Sequence, residues 1–249
     1  VAAGPLEQFS VHPMVPFRAG GYDLSFTNAS LFMVITLGLV WIFLTFGMRR
    51  AALIPGRWQG AVETLHEFVT GMVQENIGPN GLAYVPFIFA LFIFILFANL
   101  LGLLPFAFTV TSHLAVTAAF SLFIFALCLL IGFAKHGLKF LTLFVPPQTP
   151  VVLLPLIVLI EFISYLARPL TLAVRLFANM TAGHILLQVF AGFIIGLGVT
   201  GGFFTLLGIL PLFMNVALFA LELLVSVVQA YVFALLTCVY LNDSINLPH

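Results

Sequence analysis

The sequence predicts an all-α integral membrane protein that crosses the bilayer five times, with an amphipathic surface helix and a long, steeply tilted two-helix hairpin at its C-terminal end. Three observations predict it. Of the 249 residues 63% are hydrophobic and 6% are charged, against about 25% charged in a soluble domain, so the chain has too little polar surface to cover itself in water. Its apolar residues gather in runs long enough to span a hydrocarbon layer about 30 Å thick. The two last runs are far longer than one crossing needs. The formal net charge is +0, which gives no electrostatic reason to expect a nucleic-acid partner. Cys128 and Cys238 both lie in apolar runs and read as small buried hydrophobes rather than as a disulfide or metal pair. No repeat with a period of tens of residues is visible, and the chain reads as a single membrane domain.

Residues 1–29 are mixed and polar and lack the basic start and short apolar core of a cleavable signal. The first span, 30–47, is followed by Arg49, Arg50 and Arg57. The second, 84–104, ends at LLP, and the third, 113–134, is followed by Lys135, His136 and Lys139. Basic residues favour the cytoplasmic side. Arg18 alone stands on the other side of these spans, so the N-terminal segment is expected outside and both basic segments inside.

Between the first two spans, Trp58, Ala61, Val62, Leu65, Phe68, Val69, Met72 and Val73 recur with helical period, while Glu63, His66, Glu67, Thr70 and Gln74 take the opposite face. This pattern predicts a cytoplasmic surface helix over 58–77, either a plain interfacial connector or a docking site for a partner subunit. Its acidic polar face argues against anionic lipid.

After PPQTP at Pro146–Pro150 the chain is apolar over 151–190 and again over 203–241. At about 1.5 Å per residue, each run makes a helix of roughly 55–60 Å, near twice the hydrocarbon thickness. Such helices must tilt strongly or break, and Pro155, Pro169 and Pro211 are the candidate kinks. Dividing either run leaves pieces too short to cross with no polar turn between them. The expected form is therefore an inclined hairpin joined by AGFIIGLGVTGG, with the C-terminus in the cytoplasm. The glycines of that connector follow no strand and read as packing residues, not a phosphate cradle.

Ionisable groups within a span are costly, yet this hairpin carries Glu161, Arg168, Arg175, His184 and Glu222, together with Asn179 and Gln229. Helical spacing puts Glu161, Ser164, Arg168, Arg175 and Asn179 on one face, and His184, nine residues after Arg175, on the opposite one. Glu222, Ser226 and Gln229 share a face of the second helix. A turn centred near residue 203 brings His184 level with Glu222, Arg175 level with Gln229 to Tyr231, and Glu161 level with Asp243 and Ser244. His184 and Glu222 then form a candidate proton relay. No acid lies near Arg175 in sequence, since Glu161 is on the order of 20 Å away along the helix. A buried unpaired charge is strongly disfavoured, so its counter-charge is expected on another subunit; backbone carbonyls or a lipid head group are the other candidates. Arg168 reads either as part of this polar face or as a snorkelling side chain. Asn99 and Gln229 read either as functional polar groups or as inter-helix hydrogen-bonding glue. His113 and His136 fall at span ends. No metal site and no cofactor are expected, because His113 and His184 lack paired histidines for an axial haem site.

RPLTLAVRLFANMTAGHILL at Arg168–Leu187 resembles the signature helix of the a subunit of F-type ATP synthase, and NLLGLLP at Asn99–Pro105 and VVQAYVFALLTCVYL at Val227–Leu241 are similar to that family too. The resemblance runs from about Leu31 to Leu241. It implies the stator half of a proton channel beside a rotating ring of c subunits, each with a membrane-embedded carboxylate. Arg175 matches the family's essential arginine, Asn179 and Gln229 its polar neighbours, and Glu161 and Ser164 positions near the cytoplasmic exit. His184 and Glu222 match two access-channel positions that many bacterial members fill in the reverse order; the order here resembles mitochondrial and alphaproteobacterial members. The surface helix matches one lying near the b-type subunits of the peripheral stalk. The resemblance further implies protons as the transported ion, membrane lipid and no nucleic acid as surroundings, no enzyme activity by the chain alone, and a bacterial inner membrane rather than a mitochondrial one. The alternative from another class is a stand-alone secondary transporter with an internal Arg/His/Glu relay, against which stands the lack of an inverted repeat.

Overall fold

The structure is a computed structural model and describes residues 13–16, 18–19, 22–23, 25–49, 52, 54–104, 108–145, 153–200, 202 and 207–246. Residues 1–12 of the expected external segment, Arg50, Pro105, the PPQTP turn, the start of the second hairpin run at 203–206 and the last three residues lie outside the described residues.

Among the described residues six helices carry the fold: α1 Asn28–Met48, α2 Arg57–Ile77, α3 Val85–Gly102, α4 Leu114–His136, α5 Leu154–Thr200 and α6 Ile209–Ile245. Single-turn and short 3-10 segments at Pro79–Tyr84, Val110–Ser112 and Gly137–Phe144 link or extend them. Among the described residues five helical segments are long and apolar enough to cross a membrane: Asn28–Met48, Pro79–Gly102, Leu114–Phe144, Leu154–Val199 and Ile209–Ile245. The chain is thus an all-helical integral membrane protein, with four very short strands near its start among the described residues. There β1 Pro13–Val15 pairs with β4 Phe26–Thr27, and β2 Arg18–Ala19 with β3 Tyr22–Asp23, both antiparallel. Strands of two or three residues show no period in sequence, which is why the polar pattern of this segment did not predict them.

The long hairpin helices are unbroken. α5 has 47 residues and α6 has 37, or about 70 and 55 Å of helix. Helix α5 runs through most of the expected glycine connector to Thr200, and Pro169 sits inside it. A helix about 70 Å long can keep its apolar side chains in hydrocarbon about 30 Å thick only by lying far from the membrane normal.

The residues divide into two compact units, one of 1–40, 94–113 and 176–230, the other of 41–93, 114–175 and 231–249. In the first unit, the end of α3, the Phe108–His113 segment and the facing stretches of α5 and α6 pack together; Phe108 stacks on His113 at 4.9 Å and meets Phe32 of α1 at 6.2 Å between ring centroids. In the second unit, α2 buries Val62, Val69, Met72, Val73 and Ile77. Its Phe68 lies against Phe92 of α3 and Tyr231 of α6. The buried stripe is narrower than the sequence pattern suggests, for Ala61 and Trp58 are exposed, Trp58 at 68%. Gln59 is buried in their place. Its side-chain amide bonds both backbone groups of Ala52, at 3.1 and 3.0 Å, and the Glu63 carboxylate at 2.7 Å, so it fastens the α1–α2 connection. Helix α2 stops at Gly78, whose φ of 81° is open to glycine and strained for other residues while its N–H closes on the Gln74 carbonyl.

Candidate functional site

Four ionisable residues of the hairpin form two clusters, one in each unit. In the first unit His184 of α5 and Glu222 of α6 are both buried, and Nε2 of the ring stands 3.7 Å from the carboxylate Oε1. This is the level match that a turn near residue 203 predicts. Gly183 makes it possible: a Cβ there would lie 2.7 Å from Oε1 and 2.8 Å from Cδ of Glu222. Neither carboxylate oxygen has a hydrogen-bond partner among the described residues, and a charged carboxylate so placed is costly. Of the titratable groups described, the His184 ring alone lies within ion-pair distance of it.

The segment between α3 and α4 supplies hydroxyls to this cluster. Thr109 Oγ1 is 2.9 Å from His184 Nε2, and Thr181 Oγ1 reaches the Ser112 carbonyl at 3.4 Å. One turn deeper along α6, the buried Ser226 touches Met180 through its hydroxyl at 4.0 Å, and Asn99 of α3 donates to the Ser226 carbonyl at 3.2 Å. Asn99 therefore does bond between helices, as one of its two readings holds. Gln229, on the same face of α6, is buried, and Asn179 of α5 is half-buried.

In the second unit Arg168 has an acid of its own chain beside it. Its Nη1 donates to Oδ2 of Asp243, and its guanidinium lies 5.4 Å from the Tyr165 ring centre and 5.7 Å from that of Tyr240. Asp243 was expected at the level of Glu161, and the bond it makes is to Arg168. Arg168 lies two turns after Glu161 on the same helical face, and the opposite charge and length of its side chain suit the contact. Ser244, the other expected neighbour of Glu161, turns its hydroxyl onto the Tyr240 carbonyl at 2.9 Å. Next to Arg168, Ser121 of α4 bonds the Pro169 carbonyl. Glu161 is half-buried and Ser164 exposed. Arg175 is exposed, and no carboxylate among the described residues forms an ion pair with it. His136, expected at a span end, bonds the Ile245 carbonyl at 3.0 Å.

Sequence reasoning missed Thr109, Ser112 and Thr181, and also Gln188 and Asn215, whose side-chain carbonyl oxygens are buried without a bond among the described residues. Gln188 lies one helical turn after His184 and Asn215 two turns before Glu222, so helical spacing could have found them. Nothing local marks Thr109. Among the described residues no group of three histidine, cysteine or acidic side chains could hold a metal ion.

The fold and the two clusters define a class: a multi-pass, all-helical membrane protein with acid–base side chains built into its longest spans. Residues 30–242 match the family model described as ATP synthase A chain. The chain is 52% identical to ATP synthase subunit a of Parvibaculum lavamentivorans over 245 residues, 98% of this chain and 94% of that protein. It is 52% identical to ATP synthase subunit a of a Chelativorans species over 249 residues, covering 100% of both. It is also 49% identical to that of Rhodospirillum rubrum over 243 residues, 98% of each. The chain belongs to the ATP synthase A chain family. As a member it is a membrane-embedded stator component of the synthase that associates with other subunits of the complex and serves proton transport, not an enzyme on its own. Membership sets aside the stand-alone transporter.

Proposed function

We propose that this subunit conducts protons through two offset half-channels to and from the carboxylates of a rotating c-ring, with Arg175 as the gate that couples proton flow to rotation. The carrying observation is the contrast between the two intramembrane arginines. Arg168 has an acid of its own chain, whereas Arg175 projects from an apolar helix, exposed and unpaired among the described residues. A guanidinium is always charged, and leaving it in hydrocarbon without an anion is costly. A carboxylate carried past by the ring answers that need.

In this reading a proton comes from the outside by way of His184 and Glu222, with Asn179, Ser226 and Gln229 lining the path, and neutralises a ring carboxylate. The neutral site can then turn into lipid. On its return it meets the cytoplasmic half-channel near Glu161 and Ser164, where the charge of Arg175 favours the ionised carboxylate and the proton leaves. The fixed charge of Arg175 also bars leakage between the half-channels. The drive is about 2.3 kcal/mol per charge per 100 mV. The exposed Trp58 and acidic face of α2 support docking of b-type stalk subunits. The distribution of basic residues supports an outside N-terminus and a cytoplasmic C-terminus in a bacterial inner membrane.

Arg175→Ala in the assembled synthase tests this: coupled ATP synthesis and ATP-driven proton pumping should vanish while the c subunits still co-purify. Retained coupling in that variant overturns the gate.

A further inference from the structure

We infer that Gln188 and Asn215 bind water and continue the proton path outward from His184 and Glu222. The inference rests on the proton-path reading of that pair and adds the residues by which a proton reaches it from outside.

Each helix of the hairpin carries one amide beyond the pair. In ILLQVFAGFIIGLGV, residues 185–199 of α5, Gln188 is the one polar side chain, and in ILPLFMNVALFAL, residues 209–221 of α6, Asn215 is. Packing alone would be better served by hydrocarbon, since an amide in an apolar span is costly unless it is bonded. Both amides continue the faces that meet. On α6, Pro211, Asn215, Leu218 and Glu222 are buried or half-buried, while residues 212–214, 216–217 and 219–221 are exposed. On α5, the half-buried Gln188 follows the buried His184 by one turn. His184 and Glu222 stand 3.7 Å apart, so the stripes that carry them face each other. Gln188 and Asn215 extend those stripes toward the hairpin connection, which on the proposed orientation lies outside.

The side-chain carbonyl oxygens of Gln188 and Asn215 are buried without a bond among the described residues, as are both carboxylate oxygens of Glu222. Buried polar atoms are nearly always bonded, either to protein or to ordered water, and buried water collects where such atoms lack another partner. Carbonyl and carboxylate oxygens accept. A row of acceptors along one helix interface calls for a donor, and water is a donor small enough to enter there. The spacing suits it. Gln188 lies about 6 Å beyond His184 along the axis, and Asn215 about 10 Å beyond Glu222, which makes steps of about 6 and 4 Å. A water bonded at about 2.8 Å on either side spans about 5 Å. A proton passes along such a row by exchange of hydrogen bonds, with no titratable side chain needed between the outer surface and the pair.

The test images the assembled synthase by cryo-electron microscopy at a resolution that shows ordered water, and measures proton flux in inverted vesicles. Water should be bonded to both amides. Gln188→Met and Asn215→Leu keep much of the shape without the amide. Each should lose its water and lower proton flux about fivefold, the order that one hydrogen bond sets, while the c subunits still co-purify. Gln188→Asn and Asn215→Gln keep an amide and should hold water and most of the flux. Amides bonded to protein groups with no water beside them, or unchanged flux in either apolar variant, overturn the proposal. Should the apolar variants not assemble, the wild-type map and the flux of the amide variants decide. Unchanged flux in Glu222→Leu would instead refute the proton-path reading, which the water positions leave separate.

Discussion

Replacing Gly183 with alanine probes the His184–Glu222 pair through a single added carbon. The new Cβ would start 2.7 Å from Glu222 Oε1 and must reach the 3.4 Å of ordinary contact. The obstacle is the end of a flexible side chain, so the carboxylate gives way by about 0.7 Å and both helices keep their course. Helix propensity favours alanine by up to about 1 kcal/mol, so the complex should assemble, and any loss must come from the displaced acid. Misplacing a reacting group by about 1 Å costs up to about 10²-fold. A shift somewhat smaller than that should lower proton flux about tenfold. Glu222→Asp draws the carboxylate back by about one methylene; it is impaired itself, but leaves room for the added methyl. Gly183→Ala should therefore cost much less on top of Glu222→Asp than in wild type, a coupling of about 0.5–3 kcal/mol in a double-mutant cycle. The assay is ATP-driven fluorescence quenching in inverted vesicles, with passive proton conduction as the check. Equal losses from Gly183→Ala in both backgrounds would refute the reasoning.

Two further predictions concern stability. The side chains of Arg168 and Asp243 keep 31% and 27% of their exposure, so the pair is screened and its loss should be modest: Arg168→Ala should weaken the purified complex by about 1 kcal/mol, seen as earlier dissociation on heating in detergent. Arg168→Lys should recover only part, because an ammonium lacks the planar group that lies over Tyr165 and Tyr240. Gly132→Ala should be worse, since its Cβ would meet the fully buried Phe140 ring at 2.4–2.8 Å. Overpacking of this kind costs about 1–3 kcal/mol, and adding Phe140→Leu should restore the melting temperature.

Much of the architecture was legible because its signals are local. Apolar runs announce spans, a 3.6-residue rhythm marked α2, and the costly charges of the hairpin stood out against their surroundings. The facing of His184 and Glu222 also followed from one assumption, a turn near residue 203, because two straight helices carry their register a long way. The same extrapolation did not name the partner of Asp243, because the long side chain of Arg168 reaches an acid beyond its own level. Gln59 was hidden because a glutamine on a polar helix face looks solvated until the chain before it folds back to Ala52.

The sequence alone determined that this chain lives in a membrane, how many helices can cross it, and which side chains must have a purpose there, since composition and helical period are properties of neighbouring residues. Tertiary structure alone decided which arginine has its own acid, which glycine makes room for the Glu222 carboxylate, and which hydroxyl meets the histidine. Those contacts join residues tens of positions apart, and only the packed backbone sets the distances between them.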